Sequence, residues 1–134
     1  MSTLIKSFLD KSTVCDGIGF FAGEDIRKGE AVCDFDNYTY KIFHEEEWVK
    51  MKKIVSPHSF NIINKRTTKA LDGLYYFCLD DSAFANHSEN PNVIVHPGNI
   101  YISYACRDIR KGEEILYDYR TFYDPEYLKE IMGW

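Results

Sequence analysis

Two short runs hold the residue types best suited to chemistry: Asn86-His87-Ser88-Glu89-Asn90-Pro91-Asn92 and Glu113-Glu114-Ile115-Leu116-Tyr117-Asp118-Tyr119. In the first, asparagine amides and the backbone of a turn can hold a polar ligand, while a histidine beside a serine raises hydrolysis. Hydrolysis has little support, because neighbours in sequence seldom form a triad and no G-x-S-x-G elbow is present. In the second, Tyr117 and Tyr119 alternate as on a strand and would share one face, with Tyr123 just beyond. Such a face is either half-buried packing or a ring-lined pocket. Gly17-Ile18-Gly19, before Phe20-Phe21, lets a backbone pass close to a ligand because neither glycine has a side chain in the way. It is not a dinucleotide fingerprint, since the third glycine and the following helix are missing.

Strands and turns must position these groups. Asp25-Ile26-Arg27-Lys28-Gly29-Glu30 recurs residue for residue as Asp108-Ile109-Arg110-Lys111-Gly112-Glu113, which predicts two similar turns with Gly29 and Gly112 taking backbone angles closed to other residues. The flanks read as strands: Phe20 to Ala22, Ala31 to Cys33, Ile100 to Ala105 and Glu114 to Tyr119. Leu74 to Leu79 reads as a buried strand closed by Asp80-Asp81-Ser82. His44 to Ile54 carries acids first and bases last, as a helix dipole favours, with Trp48, Met51 and Val55 on one face. Ser56-Pro57 stops it. Asp124-Pro125-Glu126 starts a last helix whose apolar face is Tyr127, Leu128 and Ile131. Many short strands with two or three small helices are expected.

The 134 residues suit one domain, 1–134, and 45% hydrophobic with 28% charged residues is the balance of a soluble globular protein. No apolar run nears the roughly 20 residues that span a bilayer, and the first residues lack the pattern of a signal peptide. A soluble, intracellular protein with no membrane partner is expected, cytoplasmic in a bacterium or nuclear in a eukaryotic host. Cys15, Cys33, Cys78 and Cys106 are scattered, without a zinc-ligand spacing, and are expected to pack as reduced thiols with no metal. A net charge of -5 argues against direct nucleic-acid binding and mildly favours a basic partner. A domain of this size leaves room for a homodimer that completes a groove.

The order of the motifs says more than any one of them. Gly17-Ile18-Gly19-Phe20-Phe21-Ala22 with Ile26-x-Lys28-Gly29-Glu30, then Phe84-Ala85-Asn86-His87-Ser88, then Ile109-x-Lys111-Gly112-Glu113-Glu114 and Tyr117-Asp118-Tyr119 resemble the SET-domain protein lysine methyltransferases, from about Gly17 to Tyr119. The chain looks most like the compact viral and bacterial members: the cysteine those enzymes often carry after Asn-His-Ser is Glu89 here, and a cysteine-rich tail is missing. The resemblance implies a mainly β fold of small twisted sheets with short helices and a C-terminal pseudoknot, which brings the Asn86 turn beside Tyr119. The tail, residues 120–134, completes the site.

By the same resemblance, Gly17, Ile18, Gly19 and Phe20 hold the methionine part of S-adenosylmethionine, and Asn86 with His87 binds its amino group and adenine. Trp134 lies where relatives place a ring against adenine. Tyr119 matches the catalytic tyrosine. Tyr117 matches the position that governs how many methyl groups a lysine receives, with tyrosine implying mono- or dimethylation. The substrate implied is a lysine in a protein or peptide, such as a histone tail. One departure is Asp34-Phe35-Asp36-Asn37-Tyr38-Thr39-Tyr40, where many relatives carry Tyr-x-Gly; Tyr38 and Tyr40 are the rings at hand to replace it. That departure sustains a rival, a SET-like binding module without transfer activity. A third reading, hydrolysis by Ser88 or Cys106 with His87, lacks an elbow or a paired acid.

Overall fold

The computed structural model describes residues 2–34, 40–96 and 98–133. Tyr38 and Trp134 therefore lie outside the described residues. Among these, the strands in chain order are β1 (Ser2–Thr3), β2 (Ser7–Lys11), β3 (Ile18–Ala22), β4 (Ala31–Asp34), β5 (Tyr40–Phe43), β6 (Thr67–Lys69), β7 (Tyr75–Cys78), β8 (Asn86–His87), β9 (Val93–His96), β10 (Asn99–Ala105) and β11 (Leu116–Tyr117). The helices are α1 (Glu45–Ile54), α2 (Pro57–Lys65) and α3 (Pro125–Met132).

The repeated hexapeptide forms one clasp built from two identical halves. Ile26 N–H donates to the Ile109 carbonyl at 2.7 Å and Ile109 N–H returns the bond at 2.8 Å. Asp25 accepts from Lys111 N–H at 2.8 Å, and Asp108 from Lys28 N–H at 2.9 Å. Gly29 N–H reaches the Ala105 carbonyl and Gly112 N–H the Ala22 carbonyl, both at 2.8 Å. Each bond has its mate, as a local twofold requires. Gly29 and Gly112 sit at φ 89° and 92°, the left-handed region where a side chain is strained. Ile26 and Ile109 are both buried, so the turns meet through apolar side chains as well as through the backbone.

Each half of the clasp feeds a sheet. The four-stranded antiparallel sheet has the order β1-β4-β10-β9, with a bulge between Ser103 and Tyr104. A second, antiparallel sheet runs β5-β7-β6, and β2 pairs with β3 as a hairpin. In the fourth pairing β8 lies parallel to β11, Asn86 opposite Leu116 and His87 opposite Tyr117. Parallel neighbours need a long connection, and here it carries β9, β10 and the second turn. This crossing is where the resemblance puts its pseudoknot. Phe20, Val32, Cys33, Val93, Ile109, Ile115 and Tyr117 form the fully buried centre.

The expected helices are present and one more appears. His44 N–H donates to Glu47 at 3.1 Å at the start of α1, and Trp48 is buried against Tyr75, the rings stacked at 4.7 Å. Ser56-Pro57 does end α1, but it also starts α2: Ser56 Oγ accepts from Ser59 N–H at 3.2 Å, and Pro57 takes the first helical position. The same dipeptide that stops one helix caps the next. Asp124 caps α3, accepting from Tyr127 N–H at 2.9 Å, and Gly133 closes it at φ 70°. Ile131, expected on the apolar face, is exposed.

The stretch from Glu114 to Tyr119 is not one strand. Glu114 makes an isolated antiparallel bridge to Phe21, Leu116 and Tyr117 form β11, and the pairing stops there because the Asp118 side chain accepts from Arg120 N–H at 3.0 Å and caps a 3-10 turn over Tyr119–Thr121. A short acidic side chain bonding its own backbone competes with the ladder. Cys33 and Cys78 are buried and Cys106 partly so, whereas Cys15 is exposed rather than packed; all four are free thiols.

Candidate functional site

Glu114 organises the first half of the site. Its buried carboxylate accepts from Thr13 N–H at 2.6 Å, Thr13 Oγ1 at 2.7 Å, Ser12 Oγ at 2.8 Å and Asn86 Nδ2 at 3.1 Å. Burial alone would raise its pKa; the bonds from Thr13, Asn86 and Ser12 outweigh that and hold it below the usual range, so it is ionised. The carboxylate therefore ties three segments together: the residue 12–19 loop, the Asn86 turn and the exit of the second clasp turn. Gly19 is required here for a different reason from the one expected, since a Cβ would meet Glu114 Oε2 at 2.5 Å and Cδ at 2.9 Å. The close approach is to a carboxylate of the chain itself.

Asn86 Nδ2 also donates to the Ile18 carbonyl at 3.0 Å and lies 3.2 Å from Ser12 Oγ. Its partners Ile18 O and Glu114 are acceptors, so the amide orientation is set by chemistry: NH2 faces inward and Oδ1 is left to accept. An acceptor oxygen backed by an ionised carboxylate suits a ligand carrying an ammonium or sulfonium group. Asn92 is fully buried and completes the turn, its Nδ2 donating to Glu114 O and its Oδ1 accepting from Leu116 N–H, both at 2.8 Å. Ile18 is exposed at the start of β3 and Gly17 O accepts from Ser12 N–H at 2.8 Å. Phe20 instead belongs to the core, with its carbonyl accepting from Ile115 N–H at 2.7 Å.

His87 and Tyr119 form the second half. His87 Nδ1 accepts from Tyr119 N–H at 3.1 Å, which puts the imidazole proton on Nε2. Burial lowers its pKa despite the Asp118 carboxylate, so the ring is neutral and its 3.8 Å approach to Asp118 is not an ion pair. The Tyr119 hydroxyl donates to the Ala85 carbonyl at 2.6 Å, and its ring stacks on Tyr123 at 4.5 Å. Burial, then the neighbouring Tyr123 phenol, pushes its pKa well above the ordinary range. Tyr119 is thus a fixed hydroxyl, not a base. Tyr117 is buried beneath it, its hydroxyl 2.9 Å from Ser103 Oγ.

These rings wall a narrow cavity of about 40 Å³, room for a few waters, lined by Tyr40, Tyr117, Tyr119 and Tyr123 with Lys65 and Arg66. Tyr117 and Tyr119 do face one space, although not by strand alternation: the 3-10 turn swings Tyr119 back over the cavity. The structure brings together Asn86, His87, Tyr117, Tyr119 and the Gly17–Gly19 loop. Glu114, Ser12, Thr13 and Asn92 were missed as site residues. An acid directly after Gly112-Glu113, within an apolar run, was the available signal for Glu114. Among the described residues, no cluster of His, Cys, Asp or Glu could hold a metal ion.

A family model of the SET domain matches residues 17–120, most of the chain, and the chain belongs to the SET-domain family. No curated protein sequence matches it. A Plasmodium falciparum protein provisionally named a histone methyltransferase has 23% identity and a TM-score of 0.55, over 86% of this chain and 93% of its own. Polycomb Repressive Complex 2 of Chaetomium thermophilum, in an autoinhibited structure bound to S-adenosylmethionine, has 23% identity and a TM-score of 0.63, over 96% of this chain and 17% of that one. DIM-5, a SET domain histone lysine methyltransferase of Neurospora, has 19% identity and a TM-score of 0.59, over 87% of this chain and 53% of its own. This chain thus spans a sixth of the Chaetomium protein and half of DIM-5. At these identities the likeness is one of fold.

Proposed function

We propose that this chain transfers a methyl group from S-adenosylmethionine to the ε-amine of a lysine in a protein or peptide. The observation that carries the reading is the convergence of the Asn86 turn, the Gly17–Gly19 loop and Tyr119 beside one tyrosine-lined cavity, in a member of the SET family. Asn86 Oδ1 accepts the amino group of the cofactor, with Glu114 behind it. His87 and the backbone of Gly17, Ile18 and Gly19 bind the remainder, and Phe20 seats the loop from the core. Trp134 is assigned to the adenine on the resemblance alone. When bound, S-adenosylmethionine supplies the methyl group on a positively charged sulfur.

The work left to the protein is to deliver and align a neutral amine. A free lysine with pKa near 10.4 is neutral in roughly one molecule of 2,500 at pH 7. The narrow, ring-lined cavity leaves room for only a few waters, which disfavours the ammonium. The Tyr119 hydroxyl and the Ala85 carbonyl orient the nitrogen in line with the methyl carbon, an alignment that supplies several kcal/mol. The nitrogen bonds that carbon as the carbon–sulfur bond breaks, and its proton leaves to water. Tyr117 limits the product to mono- or dimethyl-lysine by crowding the methylated amine. We assign the chain to the compact viral and bacterial type of SET protein, acting inside the cell on a basic acceptor such as a histone tail.

Calorimetry with S-adenosylmethionine, then labelled-methyl transfer to core histones and a panel of synthetic lysine peptides, tests this. Binding with transfer to lysine is expected; binding without transfer to any acceptor favours the inactive module, for which the altered region before Tyr40 speaks. No binding removes both.

A further inference from the structure

A second, larger hollow of about 410 Å³ lies between α1 and α3. Glu45, Trp48, Val49 and Lys52 face it at helical spacing from α1, and Glu126, Tyr127, Glu130 and Ile131 from α3. Its floor is made of buried rings: Trp48 stacks on Tyr75 at 4.7 Å, and Tyr127 meets Tyr75 edge-on at 6.1 Å. Val49 and Ile131 remain exposed, so Ile131 belongs to a wall of this hollow rather than to the core. The hollow adjoins the tyrosine-lined cavity. Lys65, Thr68 and Tyr123 line the cavity, and their chain neighbours Asn64, Lys69 and Asp124 line the hollow. Tyr127 stacks on Tyr123 at 6.2 Å and Tyr123 on Tyr119 at 4.5 Å, so two ring spacings separate the floor from Tyr119. At about 3.3 Å per residue, an extended segment of about three to five residues bridges the two.

Charge in the hollow is unequal. Glu45, Asp124, Glu126 and Glu130 supply four carboxylates against the two ammonium groups of Lys52 and Lys69. Lys69 is engaged, 3.4 Å from Glu45 and 5.3 Å over the Tyr75 ring, and Lys52 lies 5.4 Å over Phe60. Asp124 Oδ1 caps α3, and Asp124, Glu126 and Glu130 make no ion pair among the described residues. Lys129 lines a different pocket, beside Arg120 and Tyr123. These surroundings favour a cation, as Lys69 shows: burial works against its charge, but Tyr75, Glu45 and Asp124 outweigh that and hold its pKa above the ordinary lysine value. The Glu130 charge reaches the floor as well, where it adds to burial, Tyr123 and Tyr75 in raising the Tyr127 phenol.

We propose that this hollow is a docking groove for a basic segment of the acceptor protein, in which an arginine or lysine about three to five residues from the target lysine lays its apolar stem along Val49 and Ile131 and its cation against Glu126 and Glu130. The inference rests on the methyltransferase reading and adds a point of recognition outside the reacting channel. A long cationic side chain has an apolar body and a charged tip, so exposed aliphatic walls beside unpaired carboxylates suit both of its parts. An acidic segment would meet like charge.

The test uses labelled glycine-serine peptides with one lysine each, without arginine or with a single arginine placed about one to six residues before or after the lysine. Binding is read by fluorescence anisotropy with S-adenosylhomocysteine present, and transfer by steady-state kinetics with S-adenosylmethionine. Arginine about three to five residues away on one side should tighten binding and lower KM by about three- to tenfold with kcat unchanged. The double variant Glu126→Gln with Glu130→Gln loses that advantage, while Glu30→Gln with Glu46→Gln, the same change of charge outside the hollow, keeps it. Cofactor binding by calorimetry is the same in all. If the double variant does not fold, Glu130→Gln takes its place, with a roughly two- to threefold loss. The assignment is overturned if no arginine position gives an advantage, if the advantage survives in the groove variant, or if the control pair loses it equally. A parent that shows the arginine advantage in binding but transfers no methyl group removes the methyltransferase reading and leaves the groove, a separate outcome.

Discussion

Asp25–Glu30 and Asp108–Glu113 are the same six residues folded in the same way, yet only the second leads into the candidate site. They part at the next position. Ala31 lets the first copy run into β4, where Val32 and Cys33 vanish into the core between β1 and β10. Glu114 bridges Phe21 at the equivalent point but places a carboxylate there, and that side chain gathers Thr13, Ser12 and Asn86 before the chain delivers Tyr117 and Tyr119. One scaffold is used twice, and a single acid after the turn separates structure from chemistry. The clasp also explains why both copies are needed, since each turn is the hydrogen-bond partner of the other.

The comparison breaks first if chemistry does not lie beyond the second turn. Tyr119→Phe should lower methyl transfer by about a hundredfold or more while S-adenosylmethionine still binds, the size expected when one preorganised hydroxyl is lost; a parent-like rate would take the reaction away from this side chain. Next in size, Glu114→Ala should lower stability by about 2–4 kcal/mol in denaturant titration and abolish cofactor binding, because Thr13, Ser12 and Asn86 lose a shared acceptor.

The carboxylate also predicts a pH effect. Its folded pKa is depressed, so its stabilisation is complete above the ordinary glutamate value near pH 4.3 and fades as pH falls through the lower folded value. Melting curves of Glu114→Gln should accordingly show a flatter acid limb than the parent. Gly29→Ala and Gly112→Ala should each cost about 1–2 kcal/mol, since both alter a positive φ with open space around the added Cβ. Equal losses with weakened cofactor binding only in Gly112→Ala would sharpen the contrast between the copies, whereas equal binding losses would erase it. The smallest effect is that of Tyr117→Phe. About 1 kcal/mol of stability goes with the Ser103 bond, and mass spectrometry should show higher methylation states.

Much was legible along the chain because its signals are local. The hexapeptide repeat announced two turns, acids and bases marked the ends of α1, Asp124-Pro125 announced α3, and the order of Gly17-Ile18-Gly19, Asn86-His87-Ser88 and Tyr117-Asp118-Tyr119 pointed to the SET family. Misreadings arose where one residue serves two neighbours. Ser56-Pro57 ends a helix and begins another, and Asp118 turns a strand into a 3-10 turn.

By itself, then, the amino-acid sequence determined the two matched glycine turns, the starts of α1 and α3 and the family to which the chain belongs, since capping, proline geometry and glycine freedom act over a few residues. Only the tertiary structure decided that Glu114 would meet Ser12, 102 positions earlier, that Asn86 would turn its NH2 inward, and that Tyr119 would lie over Ala85. Those contacts depend on which side chains are driven into the same buried space by packing. No periodicity records that choice, and the site is made of it.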